Sequence, residues 1–126
     1  MRLLLDTAVL IYAIAAPEHL SKRAAIAIQN SENILELSAI SLTEIAIKAG
    51  RGKLNVSQAE IEEATRDLDL RILPFTADHA FQLFGLPWHH RDPFDRQIIS
   101  QALCEGIPVM TTDREFQRYK GLKIIW

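Results

Sequence analysis

The chain has 126 residues, 48% of them apolar and 24% charged, which is the size of one domain with material for a core and excludes a disordered chain. Five glycines and five prolines exclude collagen-like and low-complexity chains. Fourteen basic against sixteen acidic residues give a net charge of −2, so any grip on nucleic acid must come from a local basic patch or a metal and not from bulk charge.

In chain order, Leu3 to Leu5 predicts a strand buried on both faces that ends at Asp6. Residues 1–16 have the outline of a short signal peptide closing in Ala-x-Ala. Asp6 puts a charge where such a segment is apolar, and the apolar run is too short to span a bilayer. A strand followed by a helix is therefore expected, with no membrane partner. Ala8 to Ala15 is apolar nearly all round and stops at Pro17. Such a helix is either buried or covered, and it offers a surface for a partner helix or a second copy of the chain, testable by aspartate at Leu10 or Ile14.

Further on, the pattern predicts a helix over 21–29 capped by Ser21, a strand over 34–37, and a helix over 41–49. That last helix carries an expected capping box of Ser41 and Glu44 and ends at Gly50. A helix over 57–68, a strand over 71–73 and a helix over 76–83 follow. Asp92-Pro93 opens a long helix to Glu105, with Gly106 past its end. A strand over 109–111, a short helix capped by Asp113 and a strand over 123–125 close the chain. Short apolar strands alternating with helices predict a single α/β domain over 1–126, a three-layer sandwich around a mostly parallel sheet.

In a parallel sheet the strands' carboxyl ends share one edge. Asp6 ends the first strand, Glu44 opens the helix after the second, Asp95 lies in the first turn of the long helix, and Asp113 follows the 109–111 strand. Each acid alone reads as a cap or, for Glu44, as the i,i+4 partner of Lys48. Together they would repel, and helix N-termini offset only about 0.3–1 kcal/mol per interaction. Protonation or a bound cation would relieve the rest, and oxygen ligands suit Mg²⁺ or Mn²⁺. The hydroxyls of Thr7, Thr111 and Thr112 and the basic groups of Lys48, Arg91, Arg96, Arg51 and Lys53 are candidates for phosphate contacts.

These residues resemble the PIN domain, specifically the VapC-type toxins of toxin–antitoxin pairs. The likeness is carried by Leu4-Leu5-Asp6-Thr7 with Leu10-Ile11, and by Ser41-Leu42-Thr43-Glu44-Ile45-Ala46-Ile47-Lys48 with Gly50-Arg51-Gly52-Lys53-Leu54. It continues in His90-Arg91-Asp92-Pro93-Phe94-Asp95-Arg96 with Ile98-Ile99 and Gln101-Ala102, and in Thr111-Thr112-Asp113 with Gly121-Leu122-Lys123-Ile124-Ile125-Trp126. The resemblance implies a PIN-like sheet, Mg²⁺- or Mn²⁺-dependent cleavage of RNA and a co-encoded antitoxin as partner; the apolar helix over 8–15 adds the expectation of a homodimer. The resemblance places Asp6, Glu44, Asp95 and Asp113 on the family's acidic positions. Asp92 is an extra acid, read as a cap. Ala8 departs from the polar or larger residue that relatives often carry there, without loss of an acid.

Other residues are assigned no chemistry. His89 and His90 are read as loop histidines. The lone Cys104 forms no internal disulfide, fits a reducing cytoplasm, and is read as core filling. Trp88, Tyr12 and Phe84 can stack bases but are read as packing or interface aromatics. Two alternatives stand beside the ribonuclease: a PIN-fold binding module whose acids are only caps, and a phosphoacceptor receiver-like domain. The latter expects paired acids after the first strand and an acceptor Asp near mid-chain, where this sequence has Pro74. No phosphate-binding glycine loop follows any strand, against a nucleotide-binding enzyme.

Overall fold

The computed structural model describes residues 1–126. Five strands, β1 (Arg2–Leu5), β2 (Ile34–Ser38), β3 (Arg71–Leu73), β4 (Val109–Met110) and β5 (Ile124–Ile125), form an all-parallel sheet in the order β3-β2-β1-β4-β5. Six helices flank it: α1 (Thr7–Ala15), α2 (Lys22–Gln29), α3 (Ala39–Gly50), α4 (Gln58–Asp67), α5 (Ala77–Gln82) and α6 (Pro93–Glu105). The expected α/β sandwich is present, and the sheet is parallel throughout.

Alternation along β1 explains the layers. Leu3 and Leu5 point into one core with Val9, Leu10, Ile45 and Ile61, while Leu4 points into the other with Ile98, Ile99, Val109 and Phe116. All three leucines are fully buried, as a central parallel strand requires. Leu10 is also fully buried. It belongs to the core and not to a docking face, so aspartate there would unfold the protein and report nothing about a partner; Ile14 is only half-buried. Cys104 is the reverse case. Placed in the core by its residue type, it is exposed, on the outer side of α6.

The largest correction concerns α3, which begins at Ala39 instead of Ser41. β2 runs into it without a loop, and Ser38 is the cap, its hydroxyl accepting from Ile40 N–H at 2.9 Å. The expected Ser41–Glu44 capping box therefore does not form. Ser41 instead accepts the Thr7 hydroxyl at 2.8 Å, and Glu44 is free for other partners. Gly50 stays inside the helix, and the left-handed residue of the following turn is Gly52 at φ 71°.

Gln101, fully buried on α6, ties the two cores across the sheet's edge. Its Oε1 accepts from the Ser38 hydroxyl, and its Nε2 donates to the Pro74 carbonyl at 3.2 Å. The start of α3, the end of β3 and α6 are thereby fixed relative to one another. Gln101→Leu strands those partners and should lower the unfolding free energy by about 1–3 kcal/mol in urea titrations. A loss below about 0.5 kcal/mol would show that the clamp holds nothing.

Candidate active site

The strand order reverses beside β1, so the crevice between the carboxyl ends of β1 and β4 is the topological switch point of the sheet. Asp6 and Asp113 follow the two strands that border it. Asp6 caps α1, its Oδ1 accepting from Ala8 N–H at 3.3 Å. Its Oδ2 accepts the Thr111 hydroxyl at 2.6 Å, and the same hydroxyl oxygen accepts Asp113 N–H at 3.0 Å. Thr111 has one proton and gives it to Asp6, so the direction of this short chain of bonds is fixed.

Asp113 caps the 3-10 turn Arg114–Arg118, with Oδ1 accepting Glu115 N–H at 2.9 Å. Its Oδ2 lies 2.8 Å from His90 Nε2, while His90 Nδ1 lies 3.0 Å from the Tyr119 hydroxyl. Burial raises the Tyr119 pKa. A carboxylate only accepts, so His90 Nε2 donates to Asp113, while Nδ1 shares a hydrogen bond with the Tyr119 hydroxyl. The imidazole ring is gripped by Tyr119 at 5.6 Å and by the Phe116 edge at 5.0 Å. His90, read from the sequence as a loop histidine, stands in this crevice against Asp113. Its one signal was its place two residues before Asp92 in the acidic motif.

Glu44 lies one turn further into α3 than expected and is 5% exposed. Oε2 accepts from Lys48 Nζ at 2.5 Å, whereas Oε1 is buried with no partner. An unpaired buried carboxylate oxygen is costly and rare in folded proteins. Asp95, in the first turn of α6, accepts no hydrogen bond, and its pKa is pushed up to about 7. Burial is the main cause, followed by the charges of Asp92, Asp6 and Glu44, with His90 opposing. Asp6 is raised too, again chiefly by burial, with Thr111 and Ala8 opposing and Glu44 and Asp113 adding. The Lys48 ammonium is raised by its bond to Glu44 and feels Asp92 and Asp95. Asp95 thus feels the charges of Asp6 and Glu44, and Asp6 those of Glu44 and Asp113, with Lys48 paired to Glu44; Asp6 and Glu44 lie outside the one close group of donor atoms that the crevice holds.

Donor atoms of His90, Asp95 and Asp113 lie within 4.8 Å of one another. Oxygen donors, an orphaned Glu44 oxygen and uncompensated negative charge fit a hard divalent ion such as Mg²⁺ or Mn²⁺. His79, Cys104 and Glu105 form a second close group that does not fit one. His79 Nδ1 accepts Thr76 N–H at 3.0 Å, which leaves its proton on Nε2, 3.1 Å from Glu105. Ligation at Nε2 would break the cap of α5.

The other candidate residues divide. Asp92 caps α6 through Phe94 N–H at 2.8 Å, as expected. Thr7, Thr111 and Arg96 are buried, with their polar atoms committed to Ser41, Asp6 and backbone carbonyls respectively. Any contact from them to a bound chain would displace those bonds. Thr112 is exposed, as are Arg51, Lys53 and Arg91, and Lys48 keeps 45% of its side chain exposed at the rim.

Residues 3–122 match the family of the PIN domain. The chain belongs to that family. Among solved structures, chains of three share its fold. VapBC2 from Rickettsia felis, bound to a promoter DNA fragment, gives a TM-score of 0.72 at 23% identity, covering 98% of this chain and 97% of that one. DNA-bound VapBC from Salmonella typhimurium gives 0.72 at 20%, covering 98% and 96%. VapBC-5 from Mycobacterium tuberculosis, a member of the VapBC family of toxin-antitoxin systems, gives 0.60 at 18%, covering 98% and 96%. A comparison with curated protein sequences returned no match. No helix of this PIN domain is long and apolar enough to cross a membrane.

The raised Asp95 pKa fixes a sign for the metal-free PIN domain. Between pH 4 and 7 the unfolded chain has released the proton that folded Asp95 keeps. Raising the pH through that window therefore removes stability. Asp95→Asn has no proton to lose, so in chelator its Tm should gain on the parent's by on the order of 5 °C between pH 5 and pH 7.5. Parallel pH profiles for the two proteins would contradict the raised Asp95 pKa.

Proposed function

We propose that this PIN domain, as one nuclease unit over 1–126, is a Mg²⁺- or Mn²⁺-dependent endoribonuclease and the toxin of a toxin–antitoxin pair. The observation that carries the reading is the crowding of Asp6, Glu44, Asp95 and Asp113 at the switch point, with one Glu44 oxygen left without a donor. Family membership supports nuclease chemistry. The similarity in fold to VapBC chains supports an antitoxin partner that holds the activity in check.

Asp6, Asp95, Asp113 and Glu44 would hold the ion. When bound, it supplies charge neutralisation at the phosphodiester and lowers the pKa of a water. The chain's own contribution is to keep the ligands in place. Thr111 orients Asp6, His90 orients Asp113, and Lys48 orients Glu44. Such orienting partners are worth about 10–100-fold in metal affinity or activity. Lys48 and Thr112, exposed beside the acids, are the groups available to a phosphate oxygen of the incoming strand.

Cleavage of single-stranded RNA in Mg²⁺ tests this reading. Asp6→Asn and Asp95→Asn should each lower the rate by more than about 100-fold with the circular dichroism of the fold intact. His90→Ala should lower it by about 10–100-fold. A folded Asp95→Asn that cuts at the parent rate would refute the assignment.

A further inference from the structure

The turn between Gly85 and Pro93 carries a feature that the acidic crevice does not use. Trp88 is 76% exposed. One face of its indole lies on the Arg96 guanidinium, whose Cζ is 3.6 Å from the ring centroid. The exposed area therefore belongs to the opposite face and the ring edges. Arg96 is 6% exposed and has no carboxylate partner; it donates to the carbonyls of Pro87 at 2.8 Å, Leu86 at 3.1 Å and His90 at 3.5 Å. A buried charge is thus roofed by the indole, and the indole is held flat on a fixed plate.

Beside the ring lies a cleft of about 260 Å³, walled by Leu83, Arg91, Pro93 and Gln97 together with Trp88 and Arg96. No acid lines it, and Arg91 is exposed without an ion pair. The same stretch of chain builds the crevice. His90 reaches Asp113 two residues after Trp88, and Pro93 stands two residues before Asp95.

We infer that the open face of Trp88 is a stacking platform for an unpaired base of the RNA chain, with Arg91 meeting its phosphate. The inference rests on the ribonuclease reading and adds where an unpaired base of the substrate would stack, because bases inside a duplex present no free face. The cation under the indole fixes its rotamer before binding, so stacking costs little ordering of the side chain. Arg91 offsets the repulsion between a polyanion and the neighbouring carboxylates. A protein partner is the less favoured occupant, because the cleft's only charges are the two arginines and the segment that walls it, Trp88 to Pro93, also carries His90, which reaches Asp113.

The chain has two tryptophans, so Trp126→Phe leaves Trp88 as the sole indole. In Trp126→Phe/Asp95→Asn, a single-stranded oligoribonucleotide should quench Trp88 fluorescence saturably, and the duplex of the same sequence should not. In cleavage assays Trp88→Ala should raise KM by about 5- to 150-fold, the range given by one lost stacked base. Trp88→Phe should recover most of it and Trp88→Leu should not. Unchanged KM in Trp88→Ala, equal recovery by Leu and Phe, or equal quenching by duplex would overturn the inference. So would a change in oligomeric state on Trp88→Ala in sedimentation, which would assign the face to a second copy. A parent protein that cuts no RNA would remove the ribonuclease reading, while the quenching, measured on the non-cleaving variant, would still decide whether a base stacks on Trp88.

Discussion

Like-charge repulsion at the carboxyl edge of the sheet is the constraint on which the site depends. Four carboxylates are brought to one crevice where burial weakens their hydration, and Lys48 is paired to Glu44. The rest of the local structure reads as management of that repulsion. Thr111 and the Ala8 amide stabilise charge on Asp6, and the Glu115 amide and His90 do so on Asp113. Asp95 has no such donor and answers by holding its proton toward neutral pH. Helix N-termini at α1 and α6 contribute, but each is worth only about 0.3–1 kcal/mol. Charge so incompletely compensated is what the proposed divalent ion would neutralise.

The topology explains how distant residues arrive there. A parallel sheet places every strand exit on one edge, and the reversal of order beside β1 opens a gap between neighbouring connections. Gln101 keeps the gap's walls in register by joining α6 to the ends of β2 and β3. Arg96 does the same for the turn before α6, gathering its carbonyls around one buried guanidinium. Two residues that look like site groups by type, Thr7 and Arg96, thus serve as framework. His90, which looks like an ordinary loop residue, lies in the site.

Much of this was legible in the sequence, because the signals are local. Leu3 to Leu5 is a strand of fully buried leucines, and Ser21, Asp92 and Asp113 cap where their side chains predict. The expectation that the acids share one edge rests on strand polarity alone. What escaped depends on tertiary contacts. Ser38 and Ser41 are equally good caps by type, and the choice is made by β2 running straight into α3 and by Gln101 receiving the Ser38 hydroxyl. Cys104 reads as apolar, yet its helical phase puts it outside. His90 and Trp88 acquire their settings only through Tyr119, Phe116 and Arg96, which pattern analysis cannot bring to them.

The central claim, that this crevice is built to hold a divalent ion, is tested most directly by calorimetric titration of metal-free protein with Mn²⁺ at pH 7.5. The account expects a saturable heat with proton release, lost in Asp6→Asn/Asp95→Asn while that variant remains folded. Featureless heats of dilution for the parent, or the same isotherm for the double variant, would contradict it.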